Sequence, residues 1–195
     1  MEIILRDTDT LNSGVFVINN DREDFYPFHH YENIFLTQEE NIALKNEILK
    51  IISESKKVLK ICSFIITDKE IFNAILTKAK ETQIAIFILT QLDPAKLENS
   101  LSLFDFITEE EIKENPSRSH LKFIKQLYDN GIHVRASLSA HAKFIVSDRT
   151  IGFITSANFT TPSLTFNTES GTYLDETSSR ELDRLFDVIF LQGTT

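Results

Sequence analysis

A single cysteine in 195 residues leaves no disulfide framework and no cysteine-based metal site. That cysteine, Cys62, sits in the apolar run VLKICSFII and reads as a buried thiol acting as a small hydrophobe. No apolar run approaches the roughly 20 residues needed to span a bilayer. The opening MEIILRDTDTLNSG meets acidic and polar residues too early for a signal peptide. These absences predict a cytoplasmic protein with no stable membrane association. Net positive charge is lacking as well. The formal value of -9 at pH 7 argues against a general-purpose nucleic-acid binder, because such proteins draw most of their affinity from phosphate neutralisation by Lys and Arg. No internal repeat is visible.

What is present is a chain with 42% hydrophobic residues, long enough for one domain with a substantial core. Its charge is unevenly spread. From Pro116 to Arg149, six basic residues (Arg118, Lys122, Lys125, Arg135, Lys143 and Arg149) stand against Asp129 and Asp148, a local excess of 6 minus 2, or +4. Just before it lie Asp105, Glu109, Glu110, Glu111 and Glu114. Two solvated helix faces of opposite sign and a phosphate-facing basic surface both fit this pattern.

Residues 1–36 hold two short β-like runs and an aromatic stretch without period, read as an N-terminal extension to a domain over 37–195. His29 and His30 are adjacent, so their side chains diverge in an extended segment, and no further ligands occur at a useful spacing for a metal. Thr37 and Glu40 form a capping-box pattern before apolar residues at helical spacing, which predicts a helix over about 37–57. VLKICSFII reads as a strand, a box at Thr67 and Glu70 opens a helix to about Lys80, and QIAIFILT reads as a buried strand. Asp93 and Pro94 begin an acidic insertion over about 94–117. SHLKFIKQLYDNG places Leu121, Ile124, Leu127 and Tyr128 on one helical face and stops at Asn130-Gly131. IHVRASL, AKFIVSD and TIGFITSA are candidate strands. A last helix, about 177–191, opens with a box at Ser178 and Glu181 and presents Leu182, Leu185, Phe186, Val188 and Ile189 to the core. Alternation of this kind predicts an α/β fold with a mixed, largely parallel sheet flanked by helices on both faces.

Chemistry concentrates in HAKFIVSD and in the residues just downstream. His141 and Lys143 are two apart, so an extended chain sends both side chains to the same face. Asp148 closes the pattern His-x-Lys-x4-Asp. Ser156 and Asn158 alternate in the same way on the next strand and supply a hydroxyl and a carboxamide. Asn167 and Glu169 lie in TFNTESG, read as a loop, where a carboxylate could accept the Nδ1 proton of His141 and leave Nε2 free to attack. Asp148 reads as a structural partner of its turn, bound to Arg149 or to nearby backbone donors. Ser156 lacks the G-x-S-x-G elbow of a serine hydrolase and reads as a phosphate or histidine partner. His120 and His133 read as structural.

The run HAKFIVSDRTIGFITSAN resembles the signature of the phospholipase D superfamily, His-x-Lys-x4-Asp-x6-Gly-Ser-x-Asn, with Thr155 in place of the glycine. Asn167-x-Glu169 resembles the downstream element of that family. The resemblance implies a metal-independent phosphodiesterase that needs no cofactor. A neutral histidine attacks phosphorus, Lys143 and Asn158 hold the non-bridging oxygens, and a second histidine protonates the leaving oxygen and then activates water. The two histidines would titrate as a coupled pair. This chain has one such motif, so the resemblance implies a homodimer with the active site at its two-fold interface. Short single-motif members resemble endonucleases, including the catalytic domain of certain metal-independent restriction enzymes. Hydrolysis of DNA, in restriction or defence, is therefore the expectation. A phospholipid phosphodiesterase or phosphatidyltransferase, and a non-catalytic dimerisation module, are the alternatives. Further protein subunits stay open as partners.

Overall fold

A computed structural model of the chain describes residues 34–38, 41–81, 84–92 and 116–192, all within a compact unit, Asn33–Thr195. His29, His30 and nearly all of the acidic insertion lie outside the described residues. These form eight strands in one mixed sheet, with helices on both faces, as expected of an α/β chain. In chain order they are β1 (Ile34–Gln38), β2 (Asn41–Ile42), α1 (Ala43–Glu54), β3 (Val58–Ser63), α2 (Lys69–Glu81), β4 (Ala85–Thr90), α3 (Pro116–Asp129), β5 (His133–Ala136), β6 (Phe144–Ser147), β7 (Ile151–Thr155), α4 (Thr161–Thr165), β8 (Glu169–Tyr173) and α5 (Glu176–Gln192). The sheet order is β2-β1-β8-β7-β6-β3-β4-β5.

Parallel pairing is confined to β3–β4 and β4–β5, and the other pairs are antiparallel. The expectation of a largely parallel sheet is corrected on this point. The turn between β6 and β7 is too short for the crossover that parallel neighbours require, so those strands run antiparallel. β8 then pairs antiparallel with both β7 and β1.

On one face, α1, α2, α3 and α4 bury Leu44, Ile48, Ile75, Ile124 and Leu164 against Ile61, Ile88, Ile145 and Phe153. The other face carries α5, whose Phe186 packs with Cys62, Leu89, Phe144 and Val146. Burial pushes the Cys62 thiol up to about 11 despite the charge of Lys143, in keeping with a small hydrophobe.

Three helix starts differ from the capping-box reading. Thr37 lies in β1 instead of a helix, because β1 and β2 form a hairpin pairing Thr37 with Ile42, and α1 begins at Ala43. The sheet thus takes in Ile34–Gln38, across the expected boundary at 36. The cap of α2 is Asp68, whose Oδ1 accepts from the backbone N–H of Glu70 and Ile71 at 3.1 Å each, while the N–H of Thr67 donates to the carbonyl of Phe159. At α5 the cap is Asp175, which accepts from Ser178 N–H at 2.8 Å, and these bonds hold its carboxyl below the usual range. In both cases an acidic residue, one position after Thr67 and three before Ser178, offers the stronger acceptor to the open helix end. Helix α3 buries Leu121, Ile124 and Leu127 but leaves Tyr128 exposed, and stops where expected, with Gly131 at a φ of +81°. On α5, Phe186 is sealed and Leu182 and Ile189 pack beside it, whereas Leu185 and Val188, expected in the core, are half-exposed.

Candidate active site

The His-x-Lys-x4-Asp signature is divided between the two ends of β6. His141 and Lys143 precede the strand and Asp148 comes after it. At about 3.3 Å per residue the four residues of β6 hold the ends roughly 13 Å apart. The upstream end lies beside the carboxyl ends of β3 and β4, where sites of α/β sheets gather.

His141 and Lys143 lie just outside β6, not within a strand as expected, yet the ladder still directs them. The N–H of Thr155 donates to the carbonyl of Lys143 at 3.0 Å, carrying the β6–β7 pairing one step further. The Lys143 ammonium donates to the carbonyl of His141 at 2.7 Å and lies 3.1 Å from His141 Nδ1. An ammonium has no lone pair, so the imidazole nitrogen is the acceptor in this contact. The Phe64 ring lies 5.2 Å from the His141 ring, tilted by 59°. The Phe64 carbonyl accepts from Gln91 N–H at 3.3 Å and Thr90 Oγ1 at 3.2 Å. Behind this loop sits buried His120, whose Nδ1 accepts from Ile66 N–H at 3.0 Å and whose Nε2 lies 3.1 Å from Thr90 Oγ1. Burial lowers its pKa, and its role is structural, as expected.

One strand away, Ser156 and Glu169 form a second pair. The Ser156 hydroxyl donates to Glu169 Oε2 in a short contact and accepts from Ser170 N–H at 3.1 Å. Glu169 is therefore not in a loop. It opens β8, whose pairing with β7 and β1 positions the carboxylate. In this geometry Glu169 engages Ser156, and Nδ1 of His141 faces Lys143. Asn167 sits in the turn before β8, where its N–H donates to the Pro162 carbonyl at 2.9 Å.

Thr155, the departure from the family glycine, braces this corner. Its hydroxyl donates to the Ser170 carbonyl at 3.0 Å and accepts from Ala157 N–H at 3.0 Å. Half-buried Asn158, three residues after Thr155, has its Oδ1 out of water and without a hydrogen-bond partner among the described residues. Such an atom is costly to bury unless another group completes it. The adjoining residue, Phe159, is locked by its carbonyl, which accepts from Thr67 and Asp68 N–H at 2.8 and 3.0 Å.

Asp148 is placed elsewhere. Its carboxylate accepts from the N–H groups of Lys56, Lys57 and Val58 at 3.0, 2.7 and 3.0 Å. Burial alone would raise its pKa, but these three donors and the charge of Lys57 outweigh that and hold it low. The basic window is likewise dispersed. Lys125 pairs with Asp129, Arg135 lies over the Phe190 ring, and Arg149 sits at the Asp148 end. Phe64 and Thr155 contribute to the site beyond the expected residues. The sequence marks Thr155 only as a replacement for glycine, and Phe64 comes from the end of β3, with no local motif to single it out.

Comparison with known proteins agrees with this fold. Residues 48–190 match the family model described as cardiolipin synthase, PLD-like domain. The chain belongs to the phospholipase D superfamily. Its fold is similar to that of Nuc, a phospholipase D family member from Salmonella typhimurium, with a TM-score of 0.64, 16% identity, and coverage of 83% of this chain and 95% of Nuc. It also resembles NucT from Helicobacter pylori, with a TM-score of 0.50, 17% identity, and coverage of 76% and 87%. Phosphatidylserine synthase from Haemophilus influenzae Rd KW20 gives a TM-score of 0.56 at 14% identity, with coverage of 83% and 39%. No curated protein matches. Among the described residues no helix is long and apolar enough to cross a membrane, and no three His, Cys, Asp or Glu side chains gather to hold a metal ion.

Proposed function

We propose that this phospholipase D superfamily member is a metal-independent endonuclease that hydrolyses DNA through a phosphohistidine, at a site shared by two copies of the chain. The observation that carries the reading is the junction of His141 and Lys143 with Ser156 and Glu169 at one end of adjacent strands. The imidazole proton must sit on Nδ1 for Nε2 to attack, so the Lys143 ammonium leaves Nδ1 for a non-bridging oxygen, which the Asn158 carboxamide helps to hold, and Nε2 of one His141 then attacks phosphorus. The bond to the leaving oxygen breaks, and that oxygen takes a proton from the partner copy's histidine. Water then gives a proton back to that histidine and attacks phosphorus, breaking the P–N bond. Asp148 acts as an anchor for the strand, not as a proton carrier.

The choice of DNA follows the resemblance of short single-motif members to endonucleases; of the basic residues over Pro116–Arg149, Lys143 stands at the site. Net charge of -9 predicts weak binding that falls steeply with salt. The matched family's description, a cardiolipin synthase, supports a second reading in which a lipid phosphodiester is the substrate. Purified protein incubated in chelator with plasmid and, separately, with phospholipid vesicles separates the two. Nicking that persists in chelator and vanishes in His141→Ala is the expected result. Lipid turnover without nicking would sink the nuclease reading.

A further inference from the structure

Between β7 and α4 the chain runs from Ser156 to Thr160 without a helix or strand of its own, and Asn158 stands in the middle of that run. The Oδ1 of Asn158 makes no hydrogen bond among the described residues, so this atom does nothing to fix the carboxamide. Its place depends on what holds the backbone around it.

The segment after β3 does this. The N–H of Phe159 donates to the buried Ser63 hydroxyl at 3.3 Å, and Phe159 forms an isolated parallel bridge with Ile66. The Phe159 carbonyl accepts from the N–H groups of Thr67 and Asp68. Two residues on, the Thr161 hydroxyl donates to Asp68 Oδ2 at 3.0 Å. Asp68 therefore grips the Asn158 run through its backbone and again through its side chain. The same segment carries Phe64, whose ring lies against His141, so it spans from the histidine to the carboxamide.

Asp68 is 1% exposed, and its carboxylate is where α1, α2 and α4 meet. Its Oδ1 caps α2, while Oδ2 takes Thr161 at the start of α4 and also Lys45 of α1, whose ammonium lies 3.0 Å away. That ammonium lies 3.0 Å from Glu70 as well. Burial alone would lower the Lys45 pKa, but Glu70 and Asp68 hold it above the ordinary value, so the ammonium stays charged. A buried ion pair is a weak source of stability, because apolar side chains of similar volume join helices as well or better. Apolar contact lacks direction, however. Hydrogen bonds to one carboxylate fix the start of α4 against α1 and α2 in distance and angle, and Asn158 lies three residues before Thr161.

We infer that Asp68 is a positioning residue that sets the Asn158 carboxamide at the distance from His141 which a bound phosphate needs. The inference rests on the proposed reaction, in which Asn158 helps to hold a non-bridging oxygen, and adds the group that places it. Asp68 itself touches no reacting atom.

The test is turnover of bis(p-nitrophenyl) phosphate, with affinity for inorganic phosphate measured by calorimetry, in Asp68→Asn, Thr161→Val and Thr161→Ser. Asp68→Asn keeps the shape of the side chain and loses its charge. Thr161→Val removes one hydroxyl at an exposed position, so it decides the matter where Asp68→Asn does not fold. The value of kcat should fall roughly 100-fold in Asp68→Asn and roughly tenfold in Thr161→Val, and Thr161→Ser should restore it. Both losses should vanish in an Asn158→Ala background, which has no carboxamide left to place, whereas a general loosening of the fold would lower kcat by the same factor there. An unchanged kcat in Thr161→Val, or losses that persist in Asn158→Ala, would overturn the inference. A wild type that turns over no phosphodiester removes the proposed function, and phosphate then decides the inference alone. Thr161→Val must weaken phosphate binding when Asn158 is present and leave it unchanged in Asn158→Ala; any other pattern overturns the positioning role.

Discussion

The two ends of β6, a strand of four residues, differ in every physical respect. At the Asp148 end a carboxylate accepts three backbone N–H bonds, and the chain there is held at a φ of +50°. At the His141 end an exposed imidazole is held by Lys143 and the tilted ring of Phe64. One end is saturated and the other is open. A group that must attack phosphorus cannot have all its hydrogen-bonding capacity spent within the protein, whereas a group that fixes a strand is best fully spent. In the proposed reaction the three letters of one signature do two jobs, and the contrast can be broken from either side.

The largest effect is expected at the open end. Lys143→Met keeps length and removes the charge that the proposed reaction sets against the phosphate oxygens. It should lower kcat by roughly 100- to 1000-fold, about 3–4 kcal/mol of transition-state stabilisation, with a melting temperature close to that of the wild type. A loss of stability matching the loss of activity would show that Lys143 is instead a structural tie to the His141 carbonyl.

At the saturated end the effect should move from rate to stability. Asp148→Asn keeps a side chain that tolerates positive φ but weakens the acceptor for three backbone donors. It should cost about 1–3 kcal/mol in unfolding free energy, with kcat of the folded fraction near the wild-type value. The sign with pH comes from the lowered pKa. The stabilisation is fully present above the ordinary value of 3.8 and is lost as pH falls through the lower folded-state value. Denaturant titration from pH 6 to pH 2 should show a shallower acid limb in the variant. A fall in kcat without a fall in stability would place Asp148 in the chemistry after all.

The same contrast explains what can be read from the sequence. Strands β3 and β4, the stop of α3 at Gly131 and the span of α5 are set by apolar period and turn chemistry, which are local. Strand β8 has the sequence of a loop because TFNTESG is polar and small, and it becomes a strand only through its partners on both sides. Leu185 and Val188 read as core residues, yet at about 100° per residue they turn off the Leu182–Phe186–Ile189 face that packs on the sheet. The anchoring role of Asp148 is legible as a turn partner, but its donors at Lys56, Lys57 and Val58 come from the start of β3, far along the chain. Phe64 is hidden for the same reason.

The smallest effect is expected at Glu169, because it reaches the open end through another side chain. The Ser156 hydroxyl donates to Glu169 and also accepts from Ser170 N–H, so part of the Ser156 position survives without the charge. Glu169→Gln should slow kcat by about tenfold with KM and stability little changed, and Ser156→Ala should give a similar loss. In Ser156→Ala, the added Glu169→Gln change should then have little further effect, since the carboxylate no longer has its hydroxyl to hold. If the two losses instead multiply, Glu169 acts on His141 directly once phosphate is bound, and the carboxylate changes partner during the reaction. The double-mutant cycle read through kcat distinguishes these outcomes, because the effects of independent residues add in free energy and those of coupled residues do not.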